Sequence, residues 1–458
     1  MNTLPVNTKI ICTLGPATEG FETLKLLAEA GMNIARLNMS HGDHEWHRSV
    51  IRHIKTLNRQ TQNPVAVMLD TRGPEIRTGD LANELNLVEG SEISISVRGL
   101  SDVEETSIHV DYIDLIRDVN QGDRITVDNG LINLEVLEKQ DLAMRCRVLD
   151  GGMLKSKRHV NLPGVRVNLP AITNKGRKDI LFVIENDVDY VALSFVREAS
   201  DILQLKELLG SKQNKIKIIA KIEDLEGLDN LESILNEVDG IMVARGDLGV
   251  EVPVHTVPNL QRRIVKRCAE RGKRVIVATH LLESMITHPI PTRAEVTDVA
   301  NAIHEEVDAV MLSGETSVGK YPVRCVEQLV HIAREVEPDC GGRYINLLEL
   351  NSDKQHLTLA SVLMAEALGV RCVVVITRRG VMAEFVSNCR PRSCSIFAFT
   401  NVSQARQTMM LNRGVKPFRI AFSTEPEKTL QTAFSVLRER EGLHCGEKVV
   451  VLSDVLAG

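Results

Sequence analysis

Short apolar, β-branched runs alternate with stretches of helical period along most of this chain. Eight runs read as strands, at positions 8–14, 33–38, 65–70, 190–195, 216–222, 240–244, 274–279 and 309–313. Within them VAVML, IMVA and VIVA are apolar at consecutive rather than alternate positions, the pattern of parallel strands covered on both faces. Positions 21–30, 200–209, 258–271 and 295–304 carry helical spacing between them. Eight parallel strands with intervening helices predict an α/β fold, a closed (β/α)8 TIM barrel; an open doubly wound sheet shares the same periodicity.

The alternation is interrupted once. Between Asp70 and Tyr190 it gives way to alternating runs, SEISISV at 91–97, RITV at 124–127 and LINLEVLE at 131–138, punctuated by glycines. These predict a β-rich domain inserted after the third barrel strand. Beyond Pro338 a fresh α/β pattern begins, with a helix at 358–368 and strands at 370–377, 395–399, 417–422 and 448–453. The expected division is a barrel in two parts, 1–73 and 170–338, an inserted β-barrel lid at 74–169, and a C-terminal α/β domain at 339–458.

Composition narrows the function classes. With 458 residues, 43% hydrophobic and 25% charged, the chain is an ordinary globular one with room for a large core. Its 55 basic against 61 acidic residues give a net charge of -6, so no dominant basic field exists for wrapping nucleic acid. Aromatic residues are only 3%, which removes stacking platforms for single strands and leaves an aliphatic core. No apolar run approaches the roughly 18 residues of a membrane span. The start MNTLPVNTKI has neither the basic nor the apolar segment of a signal peptide, and a cytoplasmic location is expected. Nine scattered cysteines without a C-x-x-C pair read as buried thiols.

In a β/α barrel the chemistry gathers where strands end. Here those ends read GPAT, RLNMSHG, DTRGPEIRTG, SFVR, KIED, ARGDLG, ATHLLES and SGET. Residues two apart on a strand share a face, so Arg36, Asn38 and Ser40 point one way, as do Lys221 and Glu223. Taken alone, a lysine beside a carboxylate is more often a structural ion pair. With Asp247 at the next strand end, the set becomes two carboxylates and a lysine, a hard-cation site suited to magnesium or manganese with open positions for a phosphorylated ligand. Gly246 and Gly249 let backbone amides approach an anion, and Thr279 offers a hydroxyl to the same region. His41, His44 and His47 are expected to be a polar helix start rather than a metal cluster. The KSKR run at 155–158 is read as a solvated loop that, on a lid, meets a polyphosphate.

TKIICTLGPAT, GMNIARLNMSHG, LDTRGPEIRTG, VNLPGV, KIEDLEGLDN, IMVARGDLGVE, ATHLLESM, PTRAEVTDVANA and MLSGETSVGKYP closely resemble the pyruvate kinases, in that family's order. The resemblance is dense from residue 8 to about 338 and thin beyond. It implies phosphoryl transfer from phosphoenolpyruvate to ADP, giving pyruvate and ATP. In that reading Lys221 and Arg36 hold the transferring group, and Glu223 and Asp247 hold Mg2+ (or Mn2+). Gly246, Asp247 and Thr279 take the substrate carboxylate, with Thr279 ending a proton relay. The family's potassium site maps onto Asn38, Ser40, Asp70 and Thr71, and Glu75 accompanies K+ dependence. Arg77, Pro16 and His41, with Lys157 or Arg158 on the lid, map onto the nucleotide pocket. The assembly implied is a homotetramer.

Several positions depart from the family pattern: Asp224, His280, Met39, Gly176 and the pair Arg158 and His159. Asp224 is expected to add negative charge near the metal. In the last domain ITRRGVMA replaces a hydroxyl-rich phosphate loop, and the sequence stops at VVVLSDVLAG, so fructose 1,6-bisphosphate is not expected to activate. Two other readings stand beside the kinase: a metal-dependent barrel lyase, and an inactive relative serving as a phosphometabolite sensor.

Overall fold

The computed structural model describes residues 6–61, 63–97, 107–167 and 169–455. Eight parallel strands form a closed barrel: β1 (Lys9–Thr13), β2 (Ile34–Asn38), β3 (Ala66–Asp70), β4 (Tyr190–Leu193), β5 (Lys217–Ile222), β6 (Gly240–Ala244), β7 (Arg274–Ala278) and β8 (Ala309–Leu312). Pairing of Lys9 with Ala309 and of Cys12 with Leu312 closes β1 onto β8, which removes the open doubly wound alternative. Strands β1, β4, β7 and β8 end one or two residues inside the apolar runs, and the positions that follow, such as Ser194 and Thr279, lie beyond the ladder at the mouth.

The consecutive apolar positions serve two cores. Ile11, Ile34, Met68, Ile219, Met242 and Ile276 fill the barrel interior. Their neighbours Ile10, Leu37, Leu69, Ile218, Val243 and Val277 face out onto the helices. Because alternate side chains take opposite faces, both sets are apolar and the strand reads as a continuous run.

The insertion is a seven-stranded sheet whose order runs from Ile76–Arg77 through His159–Asn161, Arg124–Val127, Ile132–Lys139, Ala143–Asp150 and Glu92–Val97 to Ser107–Val110. A bridge between Thr78 and Val110 joins the two edges and rolls the sheet up, which leaves no open edge there. The alternation of Ile132–Lys139 is legible in its burial, with Ile132, Leu134 and Val136 inside. Strands Ser107–Val110 and Ala143–Asp150 were not anticipated; Arg145 and Arg147 point to solvent between buried Met144, Cys146 and Val148.

The C-terminal unit is a four-stranded parallel sheet ordered Val415–Arg419, Ser395–Thr400, Cys372–Ile376, Val450–Ser453. Pro417 lies inside Val415–Arg419 rather than opening a strand at 417, since an edge strand tolerates a residue without an N–H. The C-terminal unit meets the underside of the barrel through buried ion pairs made by Arg390, in the segment before Ser395–Thr400. Asp308, fully enclosed, accepts from Arg390 at 2.7 and 2.8 Å and from Arg274 at 2.8 Å. Lys9 donates to the Val415 carbonyl at 2.7 Å. Of the nine cysteines eight are buried and Cys445 is exposed, none in a disulfide. Among the described residues no helix is long and apolar enough to cross a membrane.

Candidate active site

Five strand ends bring their polar residues to one point. Lys221, on β5, places its Nζ 2.8 Å from Glu223 Oε1, 3.2 Å from Asp70 Oδ1 and 2.8 Å from Ser194 Oγ. Arg36, on β2, donates its Nε to Asp70 Oδ2 at 2.8 Å and its Nη1 to Thr13 Oγ1 at 2.8 Å. All four charged groups are nine-tenths or more buried. Two cations and two carboxylates are therefore interleaved, and each charge has a partner, as a buried charge requires.

The electrostatics follow. Burial disfavours the Lys221 cation, but Asp70 and Glu223 outweigh it and hold the ammonium above the ordinary lysine range. Burial likewise pushes Asp70 up, and Lys221 and Arg36 bring it below the usual carboxylate range. Glu223 goes the other way. Burial, reinforced by Asp247 and Asp70, pushes it up to about 8 against the pull of Lys221. Glu223 and Asp247 thus disfavour each other's ionised form, and a cation bound between them would relieve that repulsion. Among the described residues no three acidic, histidine or cysteine groups converge to hold a metal by themselves. A cation between these two must complete its shell with water or ligand oxygens, the habit of Mg2+.

Beside this cluster, helix Arg245–Glu251 begins directly after β6 and brings the Gly246 amide to Thr279 Oγ1 at 2.8 Å. A β-carbon at Gly246 would lie 3.4 Å from that hydroxyl, narrowing the gap a carboxylate must enter. Thr279 is β-branched yet has φ of +69°, a conformation costing about 1–3 kcal/mol that the surroundings must enforce. Arg245 does so. Its guanidinium donates to the carbonyls of Thr279 at 2.7 Å and Ala278 at 3.3 Å and is anchored on Asp298 at 2.8 Å.

The other expected residues are distributed as follows. Asn38 and Asp70 are register partners at the adjoining ends of β2 and β3. The Thr71 carbonyl lies beside them and accepts from Ser194 Oγ at 2.8 Å, and the Asn38 side chain accepts from the Ser40 amide at 3.0 Å. Glu75 ties down Arg77, whose Nε lies 2.8 Å away, while Arg77 Nη1 donates to the Lys157 carbonyl. Burial raises the Glu75 carboxyl, and the Arg77 contacts bring it below its ordinary value. Lys155, Lys157 and Arg158 each lie against a lid carboxylate, Glu84, Asp80 and Asp128. Pro16 and His41 are exposed at the mouth. The histidines form no metal cluster: His44 pairs with Asp179 at 2.7 Å, and the His47 ring lies 2.9 Å from the His41 carbonyl. Asp224 accepts from the Gly227 amide at 2.8 Å and caps the helix Leu225–Asp229, so its carboxylate is spent on a helix start.

Three site residues were not singled out from the sequence. Thr13 and Ser194 carry hydroxyls that stitch Arg36 and Lys221 to their places. Arg245 stood inside the quoted ARGDLG turn, yet its partners come from the neighbouring strand, and spacing along one segment gives no sign of them.

The family comparison shows which family carries this constellation. A model described as "Pyruvate kinase, barrel domain" matches residues 6–326, and "Pyruvate kinase, alpha/beta domain" matches residues 355–458. The chain belongs to the pyruvate kinase family. It is 44% identical to pyruvate kinase isozyme G, chloroplastic, of Nicotiana tabacum, over 98% of this chain and 80% of that one. Plastidial pyruvate kinase 2 of Arabidopsis thaliana is 42% identical over 97% of this chain and 77% of its own length. The pyruvate kinase of Geobacillus stearothermophilus is 43% identical, with shares of 98% and 78%. The chain is thus a pyruvate kinase type of phosphotransferase.

These names overturn the cytoplasmic expectation, since several relatives are chloroplastic or plastidial enzymes while others are bacterial. Buried, unpaired thiols suit any reducing interior, and they do not choose among compartments.

Proposed function

We propose that this pyruvate kinase runs its phosphoryl transfer from the Lys221 cluster, with phosphoenolpyruvate and ADP as substrates and a homotetramer as the assembly the family implies. The observation that carries this reading is the interleaving of Lys221 and Arg36 with Asp70 and Glu223 at one barrel mouth. The transferring group spreads its charge over three equatorial oxygens in a loose transition state, so fixed cations and alignment supply most of the catalysis. Lys221 and Arg36 meet that charge in a site already desolvated. The Gly246 and Asp247 amides and the Thr279 hydroxyl hold the substrate carboxylate, and Thr279 delivers the proton to the enolate carbon through water. Glu223 and Asp247 hold Mg2+ or Mn2+, which when bound neutralises phosphate charge. Arg77, Lys157, Pro16 and His41 receive the nucleotide.

The oxygens of Asn38, Ser40, Asp70 and Thr71 suit a hard monovalent cation. With glutamate at position 75, as in the potassium-dependent members of the family, turnover is expected to rise steeply when potassium is added to enzyme dialysed into tetramethylammonium buffer. Full activity without potassium would count against the assignment.

Fructose 1,6-bisphosphate is not expected to activate. In the loop after Cys372–Ile376 the Thr377 hydroxyl donates to Asp454 Oδ2 at 3.1 Å and accepts from the Gly380 amide, so the hydroxyl this loop retains is already engaged and has an acid beside it, which supports that reading. Titrating fructose 1,6-bisphosphate at subsaturating phosphoenolpyruvate tests this; a left-shifted saturation curve would overturn it.

A further inference from the structure

Between the lid and the barrel lies a cavity of about 480 Å³ that none of Arg36, Lys221, Glu223, Asp247 or Thr279 lines. Its two walls differ. The lid wall is largely apolar, with Ile76, Val160, Leu162, Val165 and Val167 among its residues. The barrel wall carries four carboxylates: Asp224, Glu226, Asp229 and Glu251.

The cations nearby are already engaged. Arg166 pairs with Glu226 at 3.2 Å. Arg197 spends its guanidinium on the carbonyls of Val167 and Leu169, where the chain returns from lid to barrel. Among the described residues Asp224, Asp229 and Glu251 have no ion-pair partner, so the wall keeps a net negative charge that Arg197 only partly offsets. Glu251 has one polar contact, the Asn161 amide at 3.1 Å, and burial pushes its carboxyl up to about 7. Asn161, only 6% exposed and on the lid side of the cavity, is left with its Oδ1 buried and without a hydrogen-bond partner. An acceptor and a carboxylate from opposite walls therefore both lack a donor bearing positive charge. Among the described residues no three of these groups are placed to hold a metal ion by themselves.

We propose that this hinge cavity is a binding site for a small organic amine, its ammonium set against Glu251, Asp229 and Asn161 and its carbon skeleton lying on the apolar lid wall. Such a ligand touches both walls and so ties the lid to the barrel. The volume suits a compound of drug-like or smaller size, and a charge-assisted hydrogen bond to an unpaired carboxylate is among the stronger polar contacts.

Calorimetric titration of the full-length enzyme with hexylammonium, hexanol and hexanoate tests the assignment without requiring turnover, so its outcome is independent of the kinase site. Hexylammonium is expected to bind saturably and about tenfold or more tighter than hexanol, with hexanoate weaker still. Glu251→Gln and the exposed Asp229→Asn are each expected to weaken hexylammonium by about tenfold and to leave hexanol unchanged. Hexanol binding as tightly as hexylammonium would reduce the cavity to a greasy cleft, and preference for hexanoate would hand it to the arginines; either result overturns the proposal. Should Glu251→Gln fold poorly, unaltered hexylammonium affinity in Asp229→Asn overturns it just as well.

Discussion

Replacing Lys221 by methionine lowers pyruvate formation from phosphoenolpyruvate and ADP by about a thousandfold or more, as loss of a preorganised transition-state charge contact does. Methionine keeps most of the length of the side chain and removes its charge, so Asp70 and Glu223 lose the ammonium that lies 3.2 and 2.8 Å away. Arg36 still pairs with Asp70, but among the described residues Glu223 has no other ion-pair partner. Breaking a buried pair by removing one partner costs about 3–5 kcal/mol, so the variant also melts earlier unless magnesium is present to take up the charge. Steady-state kinetics with magnesium and potassium, run beside thermal melts with and without magnesium, separates the two effects. A variant retaining a tenth of wild-type turnover removes Lys221 from the phosphoryl-transfer step, and with it the distinction from a barrel lyase.

Removal of Asp308 is the second large effect expected, and it lies on stability. Arg274 and Arg390 converge on this carboxylate from the barrel and the C-terminal unit, all three at most 3% exposed. The Arg413 amide and the Val275 amide also donate to it, at 3.4 and 3.0 Å. Asp308→Ala leaves two guanidiniums buried without a counter-charge, a loss of about 3–5 kcal/mol. Denaturant titration followed by separate probes in the barrel and the last domain is expected to show the last domain leaving first. The pH dependence has a definite sign. Burial alone would raise the Asp308 carboxyl, but Arg390 and Arg274 hold it far below the ordinary range. A depressed folded value means that the contribution is fully present above the unfolded value of about 3.9 and is lost as pH falls through the folded one. The stability gap between wild type and Asp308→Asn should therefore be constant from pH 7 down to about 5 and close only under strong acid. A gap that narrows near neutrality would mean that the arginines find another partner.

The resting positions of Arg77 and Lys157 bear on the nucleotide side. Both are held by acids of the lid or its hinge, Glu75 and Asp80. A diphosphate must compete with those carboxylates, so nucleotide affinity should be more salt-dependent than phosphoenolpyruvate affinity, whose cations are buried.

Much of the cluster at the barrel mouth was legible in the sequence because barrel strands report themselves twice. Their apolar runs give the position of each strand, and the polar residues that follow give the mouth. Lys221 and Glu223 sit two apart on one strand, so their common face follows from the pleat alone. Arg36 and Asn38 follow from the same rule. The capping role of Asp224 was not read from the sequence, although a carboxylate three residues before Gly227 at a helix start is a local signal for it. The first strand of the last sheet was legible, while the Val415–Arg419 strand was shifted by its proline because edge position is a property of the whole sheet.

The chain by itself determined the eight barrel strands and the four of the last sheet, the presence of an inserted β unit, the residue types at the mouth and the family. These depend on period, on side-chain chemistry and on motif order, all of which are one-dimensional. What only the tertiary structure decided is which charges meet. That Asp70 stands between Arg36 and Lys221, that Arg245 enforces the strained Thr279, and that Asp308 joins barrel to C-terminal unit all depend on barrel closure and domain packing. These bring together residues 34 to 151 positions apart in the chain within 3.2 Å, a distance at which desolvated charges fix one another's ionisation.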